Sequence, residues 1–142
     1  MTLADEARTG LLSRCALFSG MDPDGLAALA RRATEVDFPA GHVIARQGEI
    51  GSGLFVIVSG RVKVVRSGQL LATLGTGDFF GELSVLDRMP RTASVTADEP
   101  TRCLALASWD LEATVAESPA VALTIMRGLA VRLRGLTEAD RH

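Results

Sequence analysis

Between residues 35 and 106, short apolar runs alternate with glycines. The runs fall at 36–38, 43–45, 54–58, 62–65, 70–74, 93–97 and 103–106. Gly41, Gly48, Gly51, Gly53, Gly60, Gly68, Gly75 and Gly77 sit between them and read as turn punctuation. Many short strands with turn signals at this spacing indicate a sandwich or a small barrel rather than βαβ units. Ser59-Gly60 and Ser67-Gly68 are tight-turn dipeptides, so residues 54–74 read as consecutive hairpins. The whole chain has 142 residues, 47% of them hydrophobic. That is one domain able to bury roughly 70% of its unfolded surface.

Helical signals flank this region. Asp22 can cap a helix that begins at Pro23, where a missing N–H costs nothing, and runs to about Ala33. Leu11, Leu12, Leu17 and Phe18 suggest an earlier short helix beside it. After Leu106, Ser108 is expected to cap a short helix from Trp109 to about Glu117, with Trp109 as packing. Ser118-Pro119 then opens a longer helix, Ser118 as cap and Pro119 in the first helical position. In it Ala122, Ile125, Leu129, Leu133 and Leu136 form one apolar stripe, with Arg127, Arg132 and Arg134 off it. Such a stripe either packs on the chain's own core or pairs with its copy in a homodimer. The organisation expected is a helical segment over 1–34, a β-roll over 35–107 and C-terminal helices over 108–142.

The segment from Gly77 to Val95 breaks the strand rhythm and is long for a hairpin connection. Connections of this length in a compact domain are usually functional or disordered. One helical turn near Glu82 would present open backbone amides, and amides at a helix start suit an anion. Arg91, fixed behind Pro90 at the start of a strand, can give two hydrogen bonds to a phosphate. Glu82 is an acceptor and would take a neutral hydroxyl instead. A ligand with one phosphate, a nearby hydroxyl and an apolar face fits these parts, as a ribose cyclic phosphate does.

At these residues the sequence resembles the cyclic nucleotide-binding domain of bacterial activators, gated channels and kinase regulatory subunits. Phe80-Gly81-Glu82-Leu83-Ser84 and Pro90-Arg91-Thr92-Ala93 match that family's phosphate-binding cassette, here residues 80–93. The nine positions from Glu82 to Arg91 are the family's usual interval. Phe38-Pro39-Ala40-Gly41-His42-Val43-Ile44, Gln47-Gly48-Glu49 and residues 54–64 extend the likeness, which covers roughly residues 11 to 136. The resemblance implies an antiparallel, jelly-roll-like β-roll of about eight strands, mainly β, with N-terminal helices and a long C-terminal helix. It also implies that Arg91 pairs with the cyclic phosphate and that Glu82 accepts from the ribose 2′-hydroxyl. Gly81 would let the sugar approach, backbone amides of Leu83, Ser84, Thr92 and Ala93 would complete the cradle, and Thr92 could touch the base. The ligand implied is cAMP, with cGMP the variant. Two positions depart from the pattern: Arg88 stands where the family often has Gly, and Leu136, followed by Thr137, stands where activators contact adenine.

Composition bears on the remaining classes. Fifteen basic against seventeen acidic residues give a net charge of −2, without the surplus a general nucleic-acid binder needs. At this length a DNA-binding domain behind a first domain of ordinary size is not expected. Two histidines, His42 and His142, cannot furnish the metal site of a cupin-like enzyme, so neither enzyme nor metal centre is expected. Cys15 and Cys103, 88 positions apart, read as small buried side chains in a reducing compartment. The acidic N-terminus lacks a signal peptide's basic start, and no apolar run reaches the eighteen or so residues of a membrane span. The expectation is a cytoplasmic, nucleotide-sensing module that acts on an unidentified effector protein. The competing reading is the same fold used only for interaction or dimerisation.

Overall fold

A computed structural model describes residues 3–51, 53–81 and 90–139, and within these not the side chains of residues 16, 132 and 136–139. Two helices lead: α1, Asp5–Arg14, and α2, Pro23–Arg32, with a single 3₁₀ turn, Ala16–Phe18, between them. Eight strands follow: β1 Thr34–Phe38, β2 Val43–Ala45, β3 Gly53–Ser59, β4 Val62–Arg66, β5 Gln69–Leu74, β6 Phe79–Phe80, β7 Ser94–Ala97 and β8 Thr101–Ala107. Two helices close the chain: α3, Ser108–Glu117, and α4, Ala120–Ala139. All ladders are antiparallel, and the strands form two four-stranded sheets ordered β1-β8-β3-β6 and β2-β7-β4-β5. This is the expected β-roll with helices before and after.

The start of α2 forms as its sequence dictates. The Asp22 side chain accepts from the Gly25 amide at 2.9 Å, and Pro23 occupies the first turn. The α3 start differs from expectation. Its cap is Ala107, and Asp110 satisfies the open end by accepting from the Ala107 amide at 2.9 Å, so Ser108 is already helical. The last helix begins at Ala120, one residue beyond Pro119. Trp109, expected as packing, is 63% exposed, because α3 turns Leu111 and Thr114 inward instead.

One hairpin expectation is overturned. Residues 62–74 do form a hairpin, β4 against β5. At its turn both Ser67 (φ 50°) and Gly68 (φ 80°) are left-handed, as the tightest hairpin turn requires. At Ser59-Gly60 only Gly60 is left-handed, at φ 99°, and a Cβ there would lie 2.6 Å from the Pro100 carbonyl oxygen. The chain therefore crosses at Gly60 from one sheet to the other, and β3 pairs with β8 and β6 rather than with β4.

The pairing follows from what β3 and β8 must bury. Both are nearly continuous apolar runs, which suits strands covered on both faces. On one face Leu54, Val56, Leu104 and Leu106 meet α1, the 3₁₀ turn, α2, α3 and the first half of α4 through Leu12, Leu17, Phe18, Leu29, Leu111, Val121 and Ile125. On the other face Ile57 and Cys103 meet Ala45, Val62, Phe80 and Val95 inside the roll. Asp37 and Arg102 stand opposite each other across β1 and β8 and form an ion pair at 2.7 Å. Arg32 joins α2 to α3 by an ion pair with Glu117 at 2.6 Å.

Candidate functional site

The site is built where β6 ends and where the chain returns toward β7. Pairing of Phe55 with Phe80 and of Val56 with Phe79 brings Gly81 beside the first residues of β3. Phe79 packs toward the helices, while Phe80 packs inside the roll and stacks on Phe55 with ring centres 5.2 Å apart. The next described residue after Gly81 is Pro90, which bridges to Ile50. Arg91 is then tied to the same segment twice: its amide donates to the Glu49 carbonyl at 2.8 Å, and its carbonyl accepts from the Gly48 amide at 2.9 Å.

The Arg91 side chain turns inward and is only 9% exposed. Its Nη2 donates to the Gly53 carbonyl at 3.0 Å. Two glycines crowd it. A Cβ at Gly81 would lie 2.6 Å from Nη1 and 2.5 Å from the Gly53 oxygen, and φ at Gly81 is +88°. Gly81 is thus glycine for backbone and for space alike. A Cβ at Gly51 would overlap Nε, Nη2 and Cζ of Arg91. A buried guanidinium is a directional donor, since its planar fork presents N–H groups to a doubly accepting anion such as phosphate.

The structure brings Gly81 and Arg91 together and sets Thr92 and Ala93 on the bend that follows. Thr92 is exposed, and its carbonyl accepts from Arg66 Nε of β4 at 3.1 Å. Ser94 begins β7, and its hydroxyl oxygen accepts from the Gln47 amide at 2.9 Å. Gln47 in turn binds the β4–β5 turn: its Oε1 accepts from the Ser67 amide at 2.8 Å. Glu82, Leu83, Ser84 and Arg88 lie outside the described residues. Sequence reasoning treated Gly51 and Gly53 as punctuation and missed both. Their place before the β3 run and after Gln47-Gly48-Glu49 was the available signal, but nothing local shows that a side chain forty residues later lands on them.

The apolar stripe of α4 divides. Ile125 is 5% exposed and Leu129 packs on the helix-side core, whereas Leu133 is 66% exposed. The side chain of Leu136 is not described. A hollow of about 380 Å³ lies between α3 and α4, lined by Leu111, Val115, Ala122, Ile125, Met126 and Leu129. His42 is exposed and stacks on Phe38 with ring centres 5.3 Å apart. Among the described residues no group of three or more His, Cys, Asp or Glu could hold a metal ion. Cys15 and Cys103 are buried and form no disulfide, and burial, aided by the charge of Asp37, pushes the Cys103 thiol up to about 12. No helix among the described residues is long and apolar enough to cross a membrane.

A roll with a buried arginine held between β3 and the glycine after β6 defines a class, and comparison with known proteins gives it a name. The family model of the cyclic nucleotide-binding domain matches residues 35–118, and the chain belongs to that family. It is 38% identical over 129 residues to the CRP-like cAMP-activated global transcriptional regulator of Mycobacterium tuberculosis, covering 87% of this chain and 58% of that protein. The chain thus spans little more than half of that relative's length. Among solved structures it matches the N-terminal domain of a transcriptional regulator from Streptomyces coelicolor A3(2), with TM-score 0.82, 34% identity and coverage of 92% of this chain and 94% of that one. The catabolite activator protein of Thermus thermophilus matches with TM-score 0.77 and 36% identity, over 87% of this chain and 61% of that one.

Proposed function

We propose that this chain is a sensor module that binds cAMP at Arg91 and passes the event to its helices. The observation that carries the reading is the buried Arg91 guanidinium, oriented by Gly53 and closed in by Gly81. In this reading Arg91 pairs with the cyclic phosphate and Glu82 accepts from the ribose 2′-hydroxyl. Gly81 lets the sugar approach, and the amides of Leu83, Ser84, Thr92 and Ala93 complete the cradle. Two bacterial relatives named for cAMP, at 38% and 40% identity, support cAMP as the ligand. The chain acts as a binding module rather than an enzyme. Its place is the cytoplasm, it takes no nucleic acid directly, and its output runs through an effector protein.

The route from site to helices starts at β6. Its two residues face opposite clusters, Phe79 toward the helices and Phe80 into the roll, directly before Gly81. A ligand that shifts Gly81 therefore presses on both. If it binds one arrangement better than another, the populations of α3 and α4 shift with it. The stripe's exposed Leu133 is the part that a second copy would cover in a homodimer, while Ile125 and Leu129 serve the fold.

Calorimetric titration with cAMP and cGMP tests the reading. The wild-type chain binds cAMP more tightly than cGMP. Arg91→Ala weakens cAMP binding at least tenfold and keeps a cooperative unfolding transition. An unchanged affinity in that variant overturns the role of Arg91, and no heat from either nucleotide with the wild-type chain overturns the reading itself.

A further inference from the structure

We propose that Gly51 is a positioning residue for Arg91: the absence of a side chain at position 51 is what lets the guanidinium lie where an anionic oxygen can take its fork. The inference rests on the cyclic nucleotide reading for its ligand, but not for its geometry.

Glycine occupies a position for one of two reasons, a backbone that other residues avoid or a space that other residues would fill. Gly48 and Gly81, the flanking glycines of this site, have φ of +86° and +88° and need glycine for the backbone. Gly51 is not among the positive-φ glycines, so its backbone suits any L-residue. Gly75 shares that ordinary backbone and has nothing within 4 Å of a built Cβ, so it needs glycine for neither reason. Gly51 is the opposite case. Each of the three nearest atoms to its built Cβ, Nε, Nη2 and Cζ, belongs to the guanidinium of Arg91.

The three atoms that a methyl at position 51 would meet first therefore all belong to one side chain. The obstructed group is the far end of a flexible side chain, which can swing away without moving a strand. Arg91's main chain stays tied to Glu49 and Gly48 regardless. What is lost is the place of the fork, to which the bond from Nη2 to the Gly53 carbonyl contributes. Two-pronged recognition tolerates displacements of only about 0.5 Å. The segment from Gly48 to Gly53 thus holds Arg91 at both ends, by main chain at one and by an empty side-chain position at the other.

The test uses Gly51→Ala, with Gly75→Ala as the control. Three readouts are taken on the full chain: the ¹⁵N–¹H signal of Arg91 Nε without ligand, assigned by its loss in Arg91→Lys; cAMP affinity by calorimetry; and the melting transition. Gly51→Ala is expected to move the Nε signal, to weaken cAMP at least tenfold and to leave melting near that of Gly75→Ala. In Gly51→Ala/Arg91→Ala the affinity equals that of Arg91→Ala alone. An unmoved Nε signal, an unchanged affinity or additive losses in the double variant overturn the proposal. Should Gly51→Ala melt early, removing the guanidinium in the double variant must restore the transition, and failure to restore it overturns the proposal as well. If the wild-type chain binds neither cAMP nor cGMP, the ligand reading falls, and the Nε signal alone still decides the role of Gly51.

Discussion

The two faces of β3 each carry fully buried residues but pack against different material. Toward the helices, Leu54 and Val56 belong to a cluster of sixteen buried residues among those described, drawn from the four helices, the 3₁₀ turn and its flanks, β3 and β8. Toward the roll interior, Ile57 belongs to a cluster of six among the described residues, ringed by half-buried Phe38, Ile44, Phe55, Val64 and Leu74. The smaller cluster reaches the site through the Phe55–Phe80 stack, and the larger reaches it through Phe79. The larger layer can carry most of the stability, which leaves the interior free to be shaped for a ligand. An alternation of period two inside an unbroken apolar run divides the work between the faces.

Core truncations can break this comparison. Leu104, fully buried on β8 under the helices, should show the largest effect: Leu104→Ala is expected to cost roughly 2–5 kcal/mol in equilibrium urea unfolding. A fairer contrast uses one residue type on the two sides. Val56 and Val62 are both 0% exposed, the first in the helix-side cluster and the second in the roll. Val56→Ala should cost roughly 3 kcal/mol and Val62→Ala roughly 2, because a cavity costs less where neighbours can collapse into it. The half-buried residues around Val62 can do so, and those around Val56 are pinned between sheet and helices. Equal costs, or the reverse order, would remove the distinction between the layers.

A local change sharpens the same point. Asp22→Ala leaves every apolar contact in place and removes only the acceptor for the Gly25 amide. It should lower stability by about 1 kcal/mol in the same unfolding experiment. A loss as large as that of Leu104→Ala would mean that α2 is held by its cap rather than by Leu26 and Leu29.

Much of this architecture was legible in the sequence, and the failures share one cause. The seven apolar runs all became strands, because period and punctuation are local. β6 was not read as a strand, since two residues carry no period. Ser59-Gly60 looked the same as Ser67-Gly68, yet only the second closes a hairpin, because only there do both residues turn left-handed. The choice at Gly60 was made by β8, more than forty positions away, which offers β3 a partner able to cover it. Arg91 and Gly81, which their motif singled out, lie side by side in the structure. Gly51 was not legible, because its meaning appears only once Arg91 has returned to it. The stripe on α4 was visible, but where the core stops, near Leu129, depends on how far α3 reaches alongside.

The smallest effect concerns ion pairs at the surface of both layers, and its sign can be worked out. Asp37 beside Arg102, Glu117 beside Arg32, and Asp98 beside Lys63 and Arg61 all lie below their ordinary values, chiefly through hydrogen bonds from those cations. The ordinary values are 3.8 for the aspartates and 4.5 for the glutamate. On acidification the unfolded chain takes up these protons first, so it binds more protons than the native chain and stability falls as pH drops. The contribution is complete above those ordinary values and is lost as pH falls through the depressed ones. Each pair is exposed, so ions screen it, with a screening length of about 3 Å at 1 M salt. Urea midpoints measured at descending pH should therefore fall less steeply in 1 M NaCl than in dilute buffer, and Asp37→Asn should remove part of the slope in dilute buffer. Asp37 bridges β1 to β8, in the sheet that the helices cover. Asp98 ties Arg61 and Lys63 to the corner where the chain enters the other sheet. If Asp37→Asn and Asp98→Asn flatten the acid slope equally, surface charge does not follow the division between the layers, and that division belongs to packing alone.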